Sequence, residues 1–152
     1  MTNTLRQLTI TGLNHNISAD VEEIDVLYKQ YIPDKYAKQI KKARQTHFRI
    51  PNTSFTTVTT NLNFKTAIHR DKGDDIEGFG NLAVIEKGKY KGAETCLPQY
   101  GVGVNVRTGD ILYMDVHQWH GNLPMVPIDK DAKRLSRSEE HTSELQSRQY
   151  LV

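Results

Sequence analysis

The stretch SFTTVTTNLNFKTAIHRDKGDD, residues 54–75, joins a β-strand to a polar turn that holds a histidine and an aspartate. Up to Phe64 it is rich in threonine, valine and phenylalanine, which favour extended backbone. His69 and Asp71 follow at positions i and i+2, so in extended backbone both side chains point to the same side and can reach one ion. The pair alone does not distinguish a metal site from an ordinary surface turn.

The composition indicates one soluble domain of modest size. The chain has 152 residues, of which 37% are hydrophobic and 25% charged, and we expect a monomer. No apolar run approaches the roughly 18 residues of a membrane span, and no secretion signal opens the chain, so we expect no membrane association. A single cysteine, Cys96, excludes an internal disulfide and favours a reducing, cytoplasmic compartment. The net charge of +2 is too small to indicate nucleic-acid binding by itself.

Two segments near the N-terminus have helical spacing. Residues 19–30 place apolar side chains on one face behind a capping Ser18, and a second helix is expected to start at Pro33. The polar face of the second segment is either an ordinary solvated surface or a phosphate-facing patch. Its basic residues are Lys35, Lys38, Lys41, Lys42 and Arg44.

After His47 the chain consists mainly of short strand-like segments separated by turns, and residues 5–11 form one more candidate strand. Short strands after a helical start predict a mainly β, α+β domain, a sandwich or barrel. We assign helical support to residues 1–46 and a β core to residues 47–136. The further strands are GNLAVIE (80–86), ETCLPQYGVGVNV (94–106) and ILYMDV (111–116).

A third metal ligand is available after the strand ILYMDV, in the segment VHQWHGN. Both His117 and His120 are candidates there. Two histidines and one carboxylate form the facial triad of non-haem Fe(II) oxygenases, which leaves coordination positions open. The later motif RLS places Arg134 and Ser136 on one strand face, where the arginine can bind a carboxylate with two hydrogen bonds.

Three stretches, taken in order along the chain, resemble the TET/JBP family of 2-oxoglutarate- and Fe(II)-dependent dioxygenases. They are FTTVTTNLNFKTAIHRDKGD, YGVGVNVRTGDILYMDVHQWHGNLPM and RLS. The resemblance covers residues 48–136, and this part of the chain is similar to the minimal catalytic core of phage members. It implies a double-stranded β-helix, which is a jelly-roll or cupin-like fold. It also implies Fe(II), 2-oxoglutarate as co-substrate and O₂. His120 is favoured over His117 because Gly-Asn-Leu-Pro follows it, as in the family.

The resemblance also implies roles for individual side chains. His69, Asp71 and His120 would be the iron ligands and catalytic residues. On the co-substrate side, Arg134 would bind the distal carboxylate of 2-oxoglutarate, assisted by Ser136, and Asn61 is a further candidate. Three residues are candidates for contacts with the substrate: Asp74 with the base, Arg70 with phosphate and Asn63 with base or co-substrate. Asn61 and Asn63 could equally be polar groups that hydrogen-bond to backbone.

The function implied is oxidation of the 5-methyl group of a pyrimidine, 5-methylcytosine or thymine, in DNA. A duplex substrate would require the base to be flipped out of the helix. One alternative is the same chemistry on a free nucleobase, a peptide or a small metabolite. Another is a non-catalytic β-sandwich binding module. If the chain derives from a phage, we expect it in the cytoplasm of the infected bacterial cell.

The C-terminal residues 137–152 differ in character from the rest of the chain. RSEEHTSELQS, residues 137–147, resembles the in-frame translation of a sequencing adapter. We therefore expect one dioxygenase domain over residues 1–136, followed by an artefactual, disordered tail. The last strand of the β core is then expected to be cut short, so that the fold is C-terminally truncated.

Overall fold

The structure of the protein is a computed structural model that describes residues 17–140. The candidate strand at residues 5–11 lies outside this range. Two helices come first, α1 (Ile17–Tyr31) and α2 (Pro33–Ala43), as the sequence predicts. Proline at the first position suits α2 because that position needs no backbone N–H donor. Neither helix has the length and apolar character required to cross a membrane.

Nine short strands follow the helices in the described part of the chain, and a single 3-10 turn (Pro98–Tyr100) separates β4 from β5. The mainly β architecture with N-terminal helices is therefore confirmed. The strands are β1 (Thr57–Leu62), β2 (Gly80–Lys87), β3 (Tyr90–Gly92), β4 (Thr95–Leu97), β5 (Val102–Val104), β6 (Ile111–Met114), β7 (Gly121–Asn122), β8 (Met125–Pro127) and β9 (Lys133–Glu140).

These strands form three antiparallel sheets. The largest has the order β1-β9-β2-β6, so the last strand lies between two strands from much earlier in the chain. A second sheet has the order β5-β4-β7, and β3 pairs with β8 in a third. The central position of β9 matters for the site, because this strand carries Arg134 and Ser136.

The helices cover one face of the largest sheet. Val21, Ile24 and Tyr28 of α1 are buried with Phe55, and the ring of Tyr28 stacks at 5.6 Å on that of Tyr113 from β6. Each such side chain contributes roughly 1.5–3 kcal/mol through removal of apolar surface from water. This packing fixes the sheet and leaves its other face available for a cavity.

The two faces of β9 serve different purposes because successive side chains alternate across a strand. Arg134, Ser136 and Ser138 line the cavity described below. Leu135, Arg137 and Glu139 lie on the opposite, helix-covered face, where all three are buried.

The end of β9 differs from the expected domain boundary. The strand continues past Ser136 to Glu140; residues 137–139 pair with both β1 and β2, and Glu140 pairs with β1. Backbone pairing on two sides depends little on side-chain identity, and the buried charge of Glu139 is balanced by an ion pair with Arg137. The strand thus runs four residues past the boundary expected at Ser136, and the extent of the domain stays a prediction. Residues 141–152 of the expected tail lie outside the described range.

Candidate metal centre and its cavity

The HxD segment pairs with the segment that carries His120. His69 N–H donates to His120 O at 2.8 Å, and His120 N–H donates to His69 O at 2.9 Å. Asp71 N–H donates to Val116 O at 3.0 Å. Residues directly opposite in an antiparallel pair project to the same side, and the two imidazole centroids are only 4.4 Å apart.

The residues around His120 explain this close approach. Gly121 has no Cβ, and a Cβ there would lie 3.0 Å from Thr66 O and 2.9 Å from Ile68 Cδ1. Asn122 accepts a hydrogen bond from Thr66 N–H at 2.8 Å and donates to Phe64 O at 3.2 Å. The Gly-Asn pair after His120 therefore holds the HxD segment in place.

Asp71 lies between the two histidines. His69 Nε2 is 3.3 Å from Asp71 Oδ1, and His120 Nε2 is 3.5 Å from Asp71 Oδ2. One potential ligand atom from each residue lies within 4.8 Å of the others. His117 is not part of this group, since its ring and backbone N–H contact Asp115. The structure thus brings His69, Asp71 and His120 together and leaves His117 aside.

Hydrogen bonding orients both imidazoles. Nδ1 of His69 is 2.8 Å from Ala67 O, and Nδ1 of His120 is 2.9 Å from Gln118 O. A carbonyl only accepts, so each Nδ1 carries a hydrogen, and each ring, when it is neutral, presents the lone pair of Nε2 towards Asp71. Two lone pairs and a carboxylate directed at one point form a donor set that a divalent cation would stabilise.

The pKa of Asp71 reflects the same cluster. Burial raises it, but the hydrogen bond from His120 and the positive charges that His120 and His69 carry when protonated outweigh burial and hold the pKa below its ordinary value. The carboxylate is therefore ionised at neutral pH and available as a ligand.

A cavity of about 280 Å³ contains the three residues. At this cavity, Arg134 is 5% exposed, and its Nε and Nη2 have no hydrogen-bond partner among residues 17–140. A buried guanidinium without a partner is costly, and a carboxylate is its natural counter-ion. The other lining residues are Thr59, Asn61, Phe64, Thr66, Leu82, Thr95, Met114, Gly121, Asn122, Ser136 and Ser138.

Asn61 and Ser136 lie opposite each other on β1 and β9. Ser136 Oγ is 3.5 Å from Asn61 O, to which it can donate, and both residues line the cavity. Their position beside Arg134 agrees with the predicted co-substrate side of the site, and their roles there stay predictions.

Asn63 does not line the cavity, in contrast to its predicted contact with substrate. Its Oδ1 accepts from Arg134 N–H at 2.7 Å, and its Nδ2 donates to Ala132 O at 3.4 Å. Its φ of 52° lies in the left-handed region, which asparagine tolerates better than most residues. Asn63 thus hydrogen-bonds to the backbone that positions Arg134, and its contact with substrate stays a prediction.

Arg70 and Asp74 also lie outside the set of cavity-lining residues. The Arg70 guanidinium stacks over the Trp119 ring at 4.6 Å, because these residues follow and precede the paired histidines and project to the opposite face. Asp74 is half-buried in the loop after Asp71. The structure therefore gives no contact of either residue with the cavity.

Two lysines of the basic face of α2, Lys38 and Lys42, contact acidic side chains. Lys42 Nζ is 2.5 Å from Asp75 Oδ1 and 3.2 Å from Glu77 Oε2, and Lys38 lies 3.6 Å from Glu77. The loop that follows Asp71 is thereby tied to the helix. These contacts favour a structural role for Lys38 and Lys42 over a phosphate-facing patch.

Sequence reasoning missed a network of polar residues next to Arg134. Glu86 accepts from the Tyr90 hydroxyl, from Arg107 Nε at 2.9 Å and from Thr108 N–H at 2.7 Å. Arg107 also stacks over the Tyr90 ring at 4.5 Å. The one available signal was the charge of Arg107 in the turn RTGD, which by itself suggests only an exposed residue.

Comparisons with known proteins agree with this site. The model of the Tet_JBP family, described as the oxygenase domain of the 2OGFeDO superfamily, matches residues 6–138. Thymine dioxygenase JBP1 of Trypanosoma brucei brucei is 38% identical over 112 residues, 74% of this chain and 13% of that protein. Bifunctional helicase and thymine dioxygenase JBP2 of Trypanosoma cruzi (strain CL Brener) is 35% identical over 113 residues, again 74% of this chain and 10% of that protein.

The chain thus spans only about a tenth of the length of these curated relatives. A solved structure of NgTET1 in complex with 5mC DNA superposes with a TM-score of 0.62 at 11% identity, over 80% of this chain and 48% of that one. This likeness confirms the predicted double-stranded β-helix fold. By the family match over most of its length, the chain belongs to the Tet_JBP family of oxygenase domains in the 2OGFeDO superfamily.

Proposed function

We propose that this domain is a 2-oxoglutarate- and Fe(II)-dependent dioxygenase that oxidises the 5-methyl group of a pyrimidine in DNA. The observation that carries the proposal is the presence in one cavity of a His-Asp-His cluster and a buried guanidinium, two of whose nitrogens have no hydrogen-bond partner among residues 17–140. A metal-ligand cluster alone would fit many proteins. Its combination with a carboxylate-binding arginine fits an iron enzyme that uses a dicarboxylate co-substrate.

His69, Asp71 and His120 would hold the iron. Nε2 of each histidine and one oxygen of Asp71 supply three ligand atoms, and Fe(II) accepts further ligands beyond them. When bound, the iron with 2-oxoglutarate and O₂ supplies the oxidising power for hydroxylation of a methyl group. The carbonyls of Ala67 and Gln118 hold the rings in the required tautomer, so metal binding needs no rearrangement of the histidines.

Arg134 would bind the distal carboxylate of 2-oxoglutarate. Its guanidinium is buried, and attraction between charges is stronger there than in water. Ser136 and Asn61 lie beside it and offer polar groups to the same ligand. Asn63 and the pairing of β9 with both neighbours fix the backbone of Arg134 relative to the sheet, so this residue would hold the carboxylate without a change in the strand.

The substrate is proposed from the relatives and from the mouth of the cavity. The curated relatives are named as thymine dioxygenases, which supports thymine in DNA ahead of 5-methylcytosine. Phe64 lines the cavity and is 61% exposed, so its ring is available to stack on a base that has left the duplex. We also propose a monomer in the cytoplasm, in keeping with the single cysteine.

The test is a nucleoside product assay. Protein, Fe(II), 2-oxoglutarate and O₂ are incubated with duplex DNA containing thymine alone or also 5-methylcytosine, and the digested nucleosides are identified by mass spectrometry. We expect 5-hydroxymethyluracil from the thymine substrate, and no product with Asp71→Ala. Succinate release with unchanged nucleosides in both DNAs would favour a free nucleobase, peptide or small metabolite as substrate.

A further inference from the structure

Glu86 is the anionic residue that lies beside Arg134 on the neighbouring strand of the sheet. The two residues are directly opposite each other in the register of β2 and β9. Directly opposite side chains project to the same face with Cβ atoms about 4.5–5.5 Å apart. An arginine and a glutamate in this relationship ordinarily form an ion pair, yet Arg134 has none within residues 17–140.

The carboxylate of Glu86 is instead committed to a network on its other side. Oε1 accepts from the Tyr90 hydroxyl and from Arg107 Nε at 2.9 Å, and Oε2 accepts from Thr108 N–H at 2.7 Å. Glu86 N–H is also bound, to Thr108 Oγ1 at 2.8 Å. Both carboxylate oxygens thus have donors that do not belong to the cavity.

The charge states agree with this arrangement. Burial raises the pKa of Glu86, but the hydrogen bonds from Tyr90 and Thr108 and the charge of Arg107 outweigh it and keep the pKa below its ordinary value. Burial and the hydrogen bond to Glu86 raise the pKa of Tyr90 to about 12, while the charges of Arg107 and Arg134 act in the opposite direction. Glu86 is therefore an anion and Tyr90 a neutral donor, and the charge of Arg134 acts on the Tyr90 hydroxyl.

We propose that Arg107 is a positioning residue that, together with Tyr90, holds Glu86 away from Arg134 and so keeps the Arg134 guanidinium available to the carboxylate of the co-substrate. This inference rests on the proposed function. Arg107 does not line the cavity and is 40% exposed at its side chain. Without it, Glu86 loses the cationic partner that it has within residues 17–140, and Arg134, directly opposite in the sheet, becomes a replacement. The resulting internal ion pair would compete directly with 2-oxoglutarate.

The experiment measures equilibrium binding of 2-oxoglutarate to Mn(II)-substituted protein by calorimetry, with KM and kcat for succinate release measured in parallel. Arg107→Met is expected to weaken binding about tenfold or more, the scale of one charge-assisted hydrogen bond, and to raise KM with little change in kcat. Glu86→Gln alone should bind as tightly as wild type, or more tightly. The double variant Arg107→Met/Glu86→Gln should return to the value of Glu86→Gln.

The rescue by Glu86→Gln separates this role from a merely structural one, because a structural loss would persist or worsen in the double variant. Arg44→Met, which removes an exposed arginine at the end of α2, is the matched control and should bind as wild type. Arg107→Lys keeps the charge but not the guanidinium geometry. It is expected to weaken binding severalfold, again rescued by Glu86→Gln, and serves if Arg107→Met does not fold.

Two outcomes overturn the inference while leaving the proposed function intact. One is wild-type affinity in Arg107→Met and Arg107→Lys. The other is weakened affinity that Glu86→Gln fails to restore. Absence of 2-oxoglutarate binding by wild-type protein would overturn the proposed function and this inference together.

Discussion

His69 and His120 exchange both of their backbone hydrogen bonds, at 2.8 and 2.9 Å, although they lie far apart in the sequence. The relative position of the two imidazoles is therefore set by strand-like pairing and not by side-chain contacts alone. Asp71 joins the same pair of segments through its bond to Val116 O. The backbone pairing of the fold thus brings the three side chains together, which lowers the ordering cost of metal binding.

The first prediction concerns the identity of the ligands. Asp71→Ala is expected to weaken Fe(II) binding more than about 100-fold. Loss of a residue that only hydrogen-bonds to a metal ligand costs about 10–100-fold in affinity, and loss of a ligand itself should cost more. His117→Ala should bind as wild type, since His117 contacts Asp115 instead of the cluster. Anaerobic titration can follow the fluorescence of Trp119, the only tryptophan of the chain and the neighbour of His120. Equal losses in both variants would count against this assignment.

Arg134→Met should separate stability from function. The buried guanidinium has unpartnered nitrogens in the absence of a ligand, and replacement of such a charge by an apolar side chain is expected to raise the free energy of unfolding by about 1–2 kcal/mol. The same variant should lose 2-oxoglutarate binding. Urea denaturation and calorimetry measure the two effects. A variant less stable than wild type would show that the guanidinium contributes to folding.

Asn63 should affect stability through two separate properties. Asn63→Gly keeps the left-handed backbone but removes the bonds to Arg134 and Ala132, and is expected to cost about 1–2 kcal/mol. Asn63→Ala should cost about 1 kcal/mol more, because alanine is strained at positive φ. Asn63→Asp keeps the acceptor for Arg134 N–H and should be the mildest change. Equal stabilities of the glycine and alanine variants in urea would contradict the backbone argument.

The free energy of unfolding at acid pH should depend on the ionisation of Glu86. Folding lowers its pKa below the ordinary value of 4.5. Its contribution to stability is therefore complete above a pH of about 5 and is lost as the pH falls through the folded-state pKa. Urea unfolding of wild type and Glu86→Gln at pH values from about 6 to about 3 should give a shallower decline for the variant. Identical declines would mean that Glu86 titrates normally in the folded protein.

The C-terminal part of β9 can be tested by truncation. A stop after Ser136 removes the pairs that residues 137–140 make with β1 and β2 in the largest sheet, and we expect loss of the cooperative unfolding transition. A stop after Glu140 is the matched control and should retain it. Thermal unfolding followed by circular dichroism makes the comparison. A cooperative transition in the shorter protein would show that these four residues are dispensable.

Much of the site could be predicted because its chemistry is local in sequence. The strand before His69, the i, i+2 spacing to Asp71 and the Gly-Asn pair after His120 are all readable as short motifs. Arg134 and Ser136 could be placed on one strand face for the same reason. Family resemblance then selected His120 over His117, a choice that spacing alone left open.

The remaining features depend on long-range pairing. The position of Glu86 opposite Arg134 follows from the register of β2 and β9, which no short motif encodes. The role of Asn63 follows from a positive φ that the alternation of Asn61 and Asn63 does not indicate. The basic face of α2 looked open because its partners, Asp75 and Glu77, lie far along the chain. The continuation of β9 past Ser136 was not expected from the sequence, because backbone pairing depends little on side-chain identity.

The two-faced character of β9 limits how this domain can vary in length. One face of the strand carries Arg134 towards the cavity, and the next residue, Leu135, faces the helices. Insertion or deletion of one residue between Ala132 and Arg134 would exchange the two faces and send the guanidinium into the apolar layer. Homologous domains should therefore gain or lose residues in the loop that precedes β9 and keep a constant spacing along the strand itself.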